Sequence, residues 1–199
     1  MSYFATPARD GICEIRWHGR GGQGAITSAR YLAQAAFLGG LRGVTSAPSF
    51  GAERRGAPVT ASTRLSPEPL RTFSQIEHPD VVVVLDETLL ECADATNGLR
   101  EKGWVVVNSP REPDELGIPD IYSAATADAT QVCREVGVVV AGVVMFNTAM
   151  LGAVARATGL LTLDNLKTTL DMRYPPQIAD KNFEAARITY EKTKLIERS

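Results

Sequence analysis

Trp17-His18-Gly19-Arg20-Gly21-Gly22-Gln23-Gly24 follows a short β-like run, Ile12 to Trp17, and opens an Ala-rich helical run, Ala25 to Leu38. Glycines at 19, 21, 22 and 24 suit neither a helix nor a strand. They supply a tight turn and a backbone that another group can approach closely. A strand, a glycine-rich turn and a helix start in succession form an anion-type site, with unpaired N–H groups and the positive dipole end facing outward. Arg20 is expected in the same turn. The plainer alternative is a turn whose glycines serve only close packing of helix on strand.

Gly19-x-Gly21-x-x-Gly24 also matches the dinucleotide fingerprint, which on its own is weak. A nicotinamide dinucleotide site needs an acid about 20 residues further on to hold the ribose. Here that region reads Leu41-Arg42-Gly43-Val44-Thr45-Ser46-Ala47, without Asp or Glu. No Gly-Lys-Ser/Thr ending is present, which excludes the nucleoside-triphosphate loop. The expected contact is a phosphate-bearing ligand or a partner subunit, and a self-contained NAD enzyme is disfavoured.

Outward from the turn, strands and helices alternate. Strands are expected at Ile12–Trp17, Gly43–Ala47, Val59–Leu65 (alternating, as an exposed strand does), Asp80–Leu85, Gly103–Asn108 and Ile121–Ala124. The valine runs in two of these mark buried parallel strands. Helices are expected at Gly24–Phe37, Glu87–Lys102, from Ala124 to about Glu135, Met145–Ala157, Leu163–Met172 and from about Ile178 to Glu197, the last after the break at Tyr174-Pro175-Pro176. The pattern is α/β: a doubly wound, Rossmann-like, mostly parallel sheet with a helical C-terminal part, one domain over 1–199. Its ligand edge is the strand C-termini. The glycine turn lies there, as do Asp86 and Glu87, which either bind or, more plainly, cap the next helix. Glu14, Arg16 and Trp17 are unusual for a buried strand and place the first strand near an edge or facing a partner.

The net charge of −2 argues against a general nucleic-acid binder, yet it hides an asymmetry. Residues 1–71 hold nine Arg, no Lys and four acids, whereas the rest hold twelve basic residues against nineteen acids. Arg without Lys suits bidentate contacts to carboxylate or phosphate. Cys13, Cys92 and Cys133 are widely spaced with no C-x-x-C pair, so no metal site is expected, and Cys13 and Cys92 read as small core residues. His18 either touches a ligand or hydrogen-bonds backbone in the turn, and His78 before Pro79 is a loop residue. The charge-free stretch 136–155 reaches the length of a membrane span. Its glycines, Asn147 and Thr148 favour a buried strand or tight turn followed by a packed helix. With no secretory signal at the N-terminus, a cytoplasmic protein with no membrane contact is expected.

Ser46 to Val59 fits no regular element, and a Pro-, Gly- and Arg-rich loop of that length is usually functional or disordered. Phe50 beside Arg54-Arg55 offers an aromatic anchor with fork-shaped donors.

Together, Gly19–Gly24 and Ser49-Phe50-Gly51-Ala52-Glu53-Arg54-Arg55-Gly56-Ala57-Pro58-Val59 resemble the gamma subunit of the 2-oxoacid:acceptor oxidoreductases, pyruvate:ferredoxin oxidoreductase being the familiar member. The likeness continues through Val81–Asp86, Asn147–Ala153 and Lys181–Ala186, covering about residues 12–190. It implies a multisubunit enzyme whose sister chains carry thiamine diphosphate and 4Fe–4S iron–sulfur clusters. That enzyme oxidatively decarboxylates a 2-oxoacid, usually with coenzyme A, and passes electrons to ferredoxin or another acceptor. The chain itself would hold no cofactor, metal or catalytic residue; no nucleophile–base pair stands out in it. Gly19, Arg20, Gly21, Gly22, Gln23, Gly24 and Asn147 would face the coenzyme A phosphates or the thiamine-bearing subunits. Ser49, Phe50, Gly51, Glu53, Arg54, Arg55 and Gly56 would dock the partner or guide the anionic substrate. The Arg54–Val59 wording resembles the pyruvate-type branch more than the 2-oxoglutarate type; aryl-glyoxylate and branched-chain oxoacids stay open. A nucleotide-binding or sensing scaffold without redox activity is the rival class.

Overall fold

Strands buried on both faces lose the polar alternation of exposed ones, and the four valines of β4 (Val81–Val84) form such a strand at the middle of the sheet. The computed structural model describes residues 11–48, 55–70 and 74–198. Within them the strands are β1 (Cys13–Arg20), β2 (Gly43–Pro48), β3 (Pro58–Ser66), β4, β5 (Trp104–Asn108), β6 (Ser123–Ala127), β7 (Val139–Val140), β8 (Val143–Val144) and β9 (Lys194–Ile196). The helices are α1 (Ala25–Leu38), α2 (Leu89–Cys92), α3 (Ala129–Val136), α4 (Met150–Thr158), α5 (Leu163–Asp171) and α6 (Pro176–Lys192). Seven strands pair in the order β2-β3-β1-β4-β5-β6-β9. β1, β4, β5 and β6 run parallel; β3 and β9 run against them, and β2, antiparallel to β3, points with the parallel set. The sheet is therefore mixed but mostly parallel, as the alternation implied.

The two faces are unequally covered. Cys13, Ile15, Trp17, Val81, Val83, Val106 and Ala125 pack under α1, α3, α4, α5 and α6 in one large core. On the other face Val82, Val84, Val105 and Val107 meet a smaller cluster: Leu89, Ala95 and Leu99 from α2 and the turns after it, edged by Leu116, Ile118 and Tyr122. Period-two alternation explains β1: its odd residues enter the large core and its even residues, Glu14, Arg16 and His18, face the thinly covered side. Trp17 is thus a core residue at 0% exposure, its Nε1 donating to Thr63 Oγ1 at 3.0 Å. β1 lies between β3 and β4, so its polar side is not an edge effect.

At the N-terminal edge of the parallel strands, charged groups close the sheet. Arg64 Nε donates to Glu14 Oε1 at 2.7 Å, Arg100 Nη1 to Asp80 Oδ1 at 2.9 Å, and the Glu14 N–H to Asp80 Oδ2 at 2.8 Å. Burial raises the Asp80 carboxyl above its ordinary value, against the pull of the Glu14 N–H and Arg100.

Several expectations are corrected. The helix expected over Glu87–Lys102 shrinks to the four residues of α2. Asn97-Gly98 is a turn sequence, Gly98 has φ +74°, and a Cβ there would lie 2.2 Å from the Glu77 carbonyl oxygen. β3 is an interior strand, buried at Ala61 and from Thr63 to Ser66, where an exposed one was expected. The final helix ends at Lys192; Thr193 turns extended and Lys194–Ile196 pair with β6 as an edge strand. Cys92 is exposed, unlike buried Cys13 and Cys133. Residues 136–155 form the β7–β8 hairpin, a loop and the start of α4, and no described helix is long and apolar enough to cross a membrane.

Gly152 fixes the closest helix contact. A Cβ there would stand 1.9 Å from the Ala186 carbonyl oxygen of α6, so α4 and α6 approach backbone to backbone. Neither backbone can give way without moving a helix. Gly152→Ala is expected to cost about 3 kcal/mol, read as a lowered urea midpoint, while Ala153→Gly should cost only about 1 kcal/mol, the helical Gly penalty.

Candidate functional site

The glycine motif is part strand and part turn. β1 runs on through Gly19 and Arg20, paired with Val59 and Pro58 of β3, so these two residues are not in the turn as expected. Chain reversal falls on Gly21 to Gly24, with Gly22 at φ +95° and Gly24 at φ +81°. Gly22 faces open space, whereas a Cβ on Gly24 would lie 2.8 Å from Asn147 Cγ. Only Gly24 is therefore held to glycine by both its dihedrals and its neighbour. The Gln23 side chain closes the turn: its Oε1 accepts from the Arg20 N–H at 2.7 Å.

This turn is zipped to the second motif. Gly21 N–H donates to the Ala57 carbonyl at 2.9 Å, Gly56 N–H donates to the Gly21 carbonyl at 3.1 Å, and Gly21 forms an isolated bridge with Arg55. Ser46–Pro48 belong to β2 and Pro58–Val59 to β3, so much of the expected irregular loop is strand. Ser49, Phe50, Gly51, Glu53 and Arg54 lie outside the described residues. Arg55 and Gly56 are exposed at the zipper.

Arg20 braces the junction. Its Nε donates to Asp86 Oδ2 at 2.9 Å, Nη1 to the Gly56 carbonyl at 3.2 Å and Nη2 to Thr88 Oγ1 at 2.7 Å. Three of five guanidinium donors thus serve the fold. Asp86 also receives Gln23 Nε2 at 3.3 Å and the Thr88 N–H at 3.1 Å. Burial opposes its ionisation, but the bonds from Thr88, Arg20 and Gln23 together outweigh that and hold the carboxyl below the usual range. Asp86 is neither a cap of a long helix nor a free acid; it neutralises Arg20 and ends β4 in an Asp-x-Thr turn. Glu87 accepts from Ser109 Oγ, at the end of β5.

Asn147 lies over the start of α1, against Gly24. It is 4% exposed, and its carbonyl accepts from Ser28 Oγ at 3.0 Å. Its side-chain amide has no hydrogen-bond partner among the described residues, and it lies against Gly24. The first turn of α1 has no acidic residue and has N–H groups without intrahelical acceptors. The chemistry this corner offers is therefore donation to an oxygen-rich, anionic group. Sequence reasoning missed Thr88, Ala57 and Ser28 as members of this site. Asp86-x-Thr88 was a readable turn signal; a backbone carbonyl such as Ala57's leaves none.

His18 is not a turn residue. It sits in β1 at 5% exposure, and its Nε2 accepts from Arg16 Nε at 3.1 Å. Burial, aided by the Arg16 charge, lowers its pKa to about 4. His78 is exposed beside the Gly98 carbonyl.

Comparison with known proteins places this geometry. The family model described as pyruvate ferredoxin/flavodoxin oxidoreductase matches residues 14–192. The chain is 46% identical over 190 residues to the pyruvate/ketoisovalerate oxidoreductases common subunit gamma of Pyrococcus abyssi, covering 94% of this chain and 100% of that one. Among solved structures, pyruvate oxidoreductase subunit PORC of Thermotoga maritima superposes with TM-score 0.80 at 36% identity, over 94% of this chain and 100% of that one. The 2-oxoglutarate:ferredoxin oxidoreductase of Magnetococcus marinus shares the fold, with TM-score 0.70 at 22% identity, over 96% of this chain but 33% of its own.

The pKa of His18 yields a pH test. The unfolded chain takes a proton at His18 near pH 6.5, which the fold refuses until about pH 4. Stability from this group is complete above pH 6.5 and falls as pH drops towards 4, by about 3 kcal/mol in all. Wild type is expected to lose that much more than His18→Gln in urea unfolding between pH 7 and pH 4.

Proposed function

The chain belongs to the pyruvate ferredoxin/flavodoxin oxidoreductase family as a gamma-type subunit, and from that premise we propose that it assembles the complex and shapes the coenzyme A side of a 2-oxoacid site. Such complexes are oxidoreductases acting on pyruvate or ketoisovalerate, as the relatives' names state. In this reading thiamine diphosphate and iron–sulfur clusters reside in the partner subunits. Those groups would supply the decarboxylation and electron-transfer chemistry, and this chain would bind and orient what receives the acyl group.

The observation that carries the reading is the zipper between Gly21 and Arg55–Ala57, closed by Arg20. It unites two motifs some 35 residues apart into one rigid corner beside the α1 N-terminus. Backbone N–H groups of that helix turn, the remaining donors of Arg20 and the Asn147 amide face the same corner. Coenzyme A brings phosphates, which helix N-termini and guanidinium groups hold well. The second strand offers no acid to grip a ribose as a dinucleotide site would, and half-buried Asp86 is already neutralised by Arg20. Arg55, exposed at the zipper, and Arg54 would meet the partner or steer the anionic 2-oxoacid. Pyruvate is the favoured substrate, with a branched-chain oxoacid next, following the names of the relatives.

Asn147→Asp separates binding from folding. A carboxylate at the positive end of α1 is tolerated by the fold but opposes an incoming phosphate. In the assembled complex, KM for coenzyme A is expected to rise about tenfold, equivalent to about 1.4 kcal/mol, with KM for pyruvate unchanged. An unchanged KM for coenzyme A would remove the coenzyme A assignment. Arg54→Ala with Arg55→Ala is expected to weaken co-purification with the partner chains or acyl-CoA formation, and the docking role fails if both persist.

A further inference from the structure

A groove on the face of the sheet opposite α1 is untouched by the reading above. Its floor consists of two cross-strand pairs, Arg16 beside Ser62 and His18 beside Thr60. Segments 74–78 and 93–98 wall it, and it encloses about 780 Å³, within the range of ligand pockets. It exists because α2 is short: the turns after it reach Arg16 through the Ala95 and Asn97 carbonyls but leave an opening over the polar side of β1 and β3.

The floor is fixed rather than merely polar. Arg16 Nε donates to His18 Nε2 at 3.1 Å, and Nη2 donates to the Ala95 carbonyl at 3.1 Å and to that of Asn97. Nη1 has no hydrogen-bond acceptor among the described residues. Because His18 accepts at Nε2, its ring proton is assigned to Nδ1. That Nδ1–H also has no partner among the described residues, although the residue is 95% buried (5% exposed). Among the described residues only Thr126 Oγ1 is a fully buried side-chain atom without a partner, so His18 Nδ1 is open to the groove and an oxygen acceptor there can take its proton. The Thr60 hydroxyl, next to His18 across the strands, is another donor without a partner among the described residues.

Charge narrows the acceptor. Glu77 and Asp94 line the same groove, so with Arg16 cationic and His18 neutral the formal charges there sum to −1. A polyphosphate is repelled by that balance. A single carboxylate brings in the least negative charge, and its own bonds can offset the repulsion: one oxygen on Arg16 Nη1 gives a charge-assisted bond, and the other takes the imidazole N–H. We propose that this groove binds a carboxylate, seated on Arg16 Nη1 and His18 Nδ1–H with the Thr60 hydroxyl beside them. The carboxylate belongs either to a small free monoacid or to an Asp or Glu side chain of a partner subunit.

The test uses the assembled complex, with lactate and inorganic phosphate as probes in saturation-transfer and phosphorus line-width NMR. The variants are Arg16→Met and Thr60→Val; the second leaves the Ala95 and Asn97 contacts intact, so it reads the groove even if the first disturbs folding. Saturable lactate binding, weakened at least tenfold by both variants and not matched by phosphate, supports a free monoacid. No lactate binding to wild type, with about tenfold weaker retention of this chain in both variant complexes, supports a partner carboxylate. Lactate binding unmoved by either variant, phosphate binding as tightly as lactate, or neither lactate binding nor altered retention would overturn the proposal. The lactate arm is independent of KM for coenzyme A, so this proposal and the preceding one fail separately.

Discussion

Arg20 ties together three stretches of chain through one side chain. Its guanidinium contacts the carboxylate after β4, the hydroxyl of Thr88 and the carbonyl of Gly56. An exposed ion pair of this kind contributes only about 0–1 kcal/mol by itself. Its effect is geometric: a planar fork with three fixed acceptors leaves the glycine turn one orientation. Gln23 completes the frame by accepting from the Arg20 N–H and donating to Asp86. With the frame set, α1 starts at Ala25 aimed past Asn147, and the β2–β3 connection is drawn to Gly21. A lysine at position 20 could neutralise Asp86 but could not reach three acceptors in a plane.

The two edges of the parallel strands use charge in opposite ways. At the N-terminal edge, Glu14, Asp80, Arg64 and Arg100 pair with one another, with Arg64 and Asp80 almost wholly buried. Every charge there has a partner in the chain, as burial requires. At the C-terminal edge Arg20 and Asp86 cancel and Glu87 is engaged by the Ser109 hydroxyl, and around the start of α1 the donors are neutral: helix N–H groups, the Asn147 amide and glycine backbone. An edge with its charges cancelled but its dipoles unspent suits a ligand that brings its own negative charge.

The parallel core and the order of most of its elements were legible in the sequence because each rests on local chemistry. Valine runs mark doubly buried strands, and glycines mark turns. The failures share a cause as well: long-range pairing overrode local pattern. Leu89, Ala95 and Leu99 have helix-compatible spacing, yet Asn97-Gly98 and the nearby Glu77 carbonyl broke the helix after one turn. Lys194–Ile196 continue the amphipathic pattern of α6, but the exposed flank of β6 claimed them as a strand. Of the site, Asn147 was picked out with its motif, whereas its contact with Gly24 joins residues 123 positions apart and leaves no local signal. Arg20 was read as a ligand donor; its first duty is to Asp86, 66 residues away, which the sequence does not mark.

The polar alternation of β1 was visible from the start, but its meaning depended on which helices cover which face. Five of the six helices pack on one side of the sheet. A sheet so covered buries the odd residues of β1 completely and leaves its even residues to whatever the other face meets. Had α2 been the long helix its sequence suggests, it would have lain across β1 and β4 alike, and Arg16 and His18 would have required apolar replacements. The broken helix and the polar strand are therefore two sides of one arrangement. Asn97 and Ala95, in the turns that replace the helix, supply the carbonyls that hold the Arg16 guanidinium in place. A strand residue that is charged, held by three acceptors and next to a neutral buried histidine is costlier than the valine that packing alone would select. That excess cost is the physical reason to regard this face, like the glycine corner, as shaped for contact.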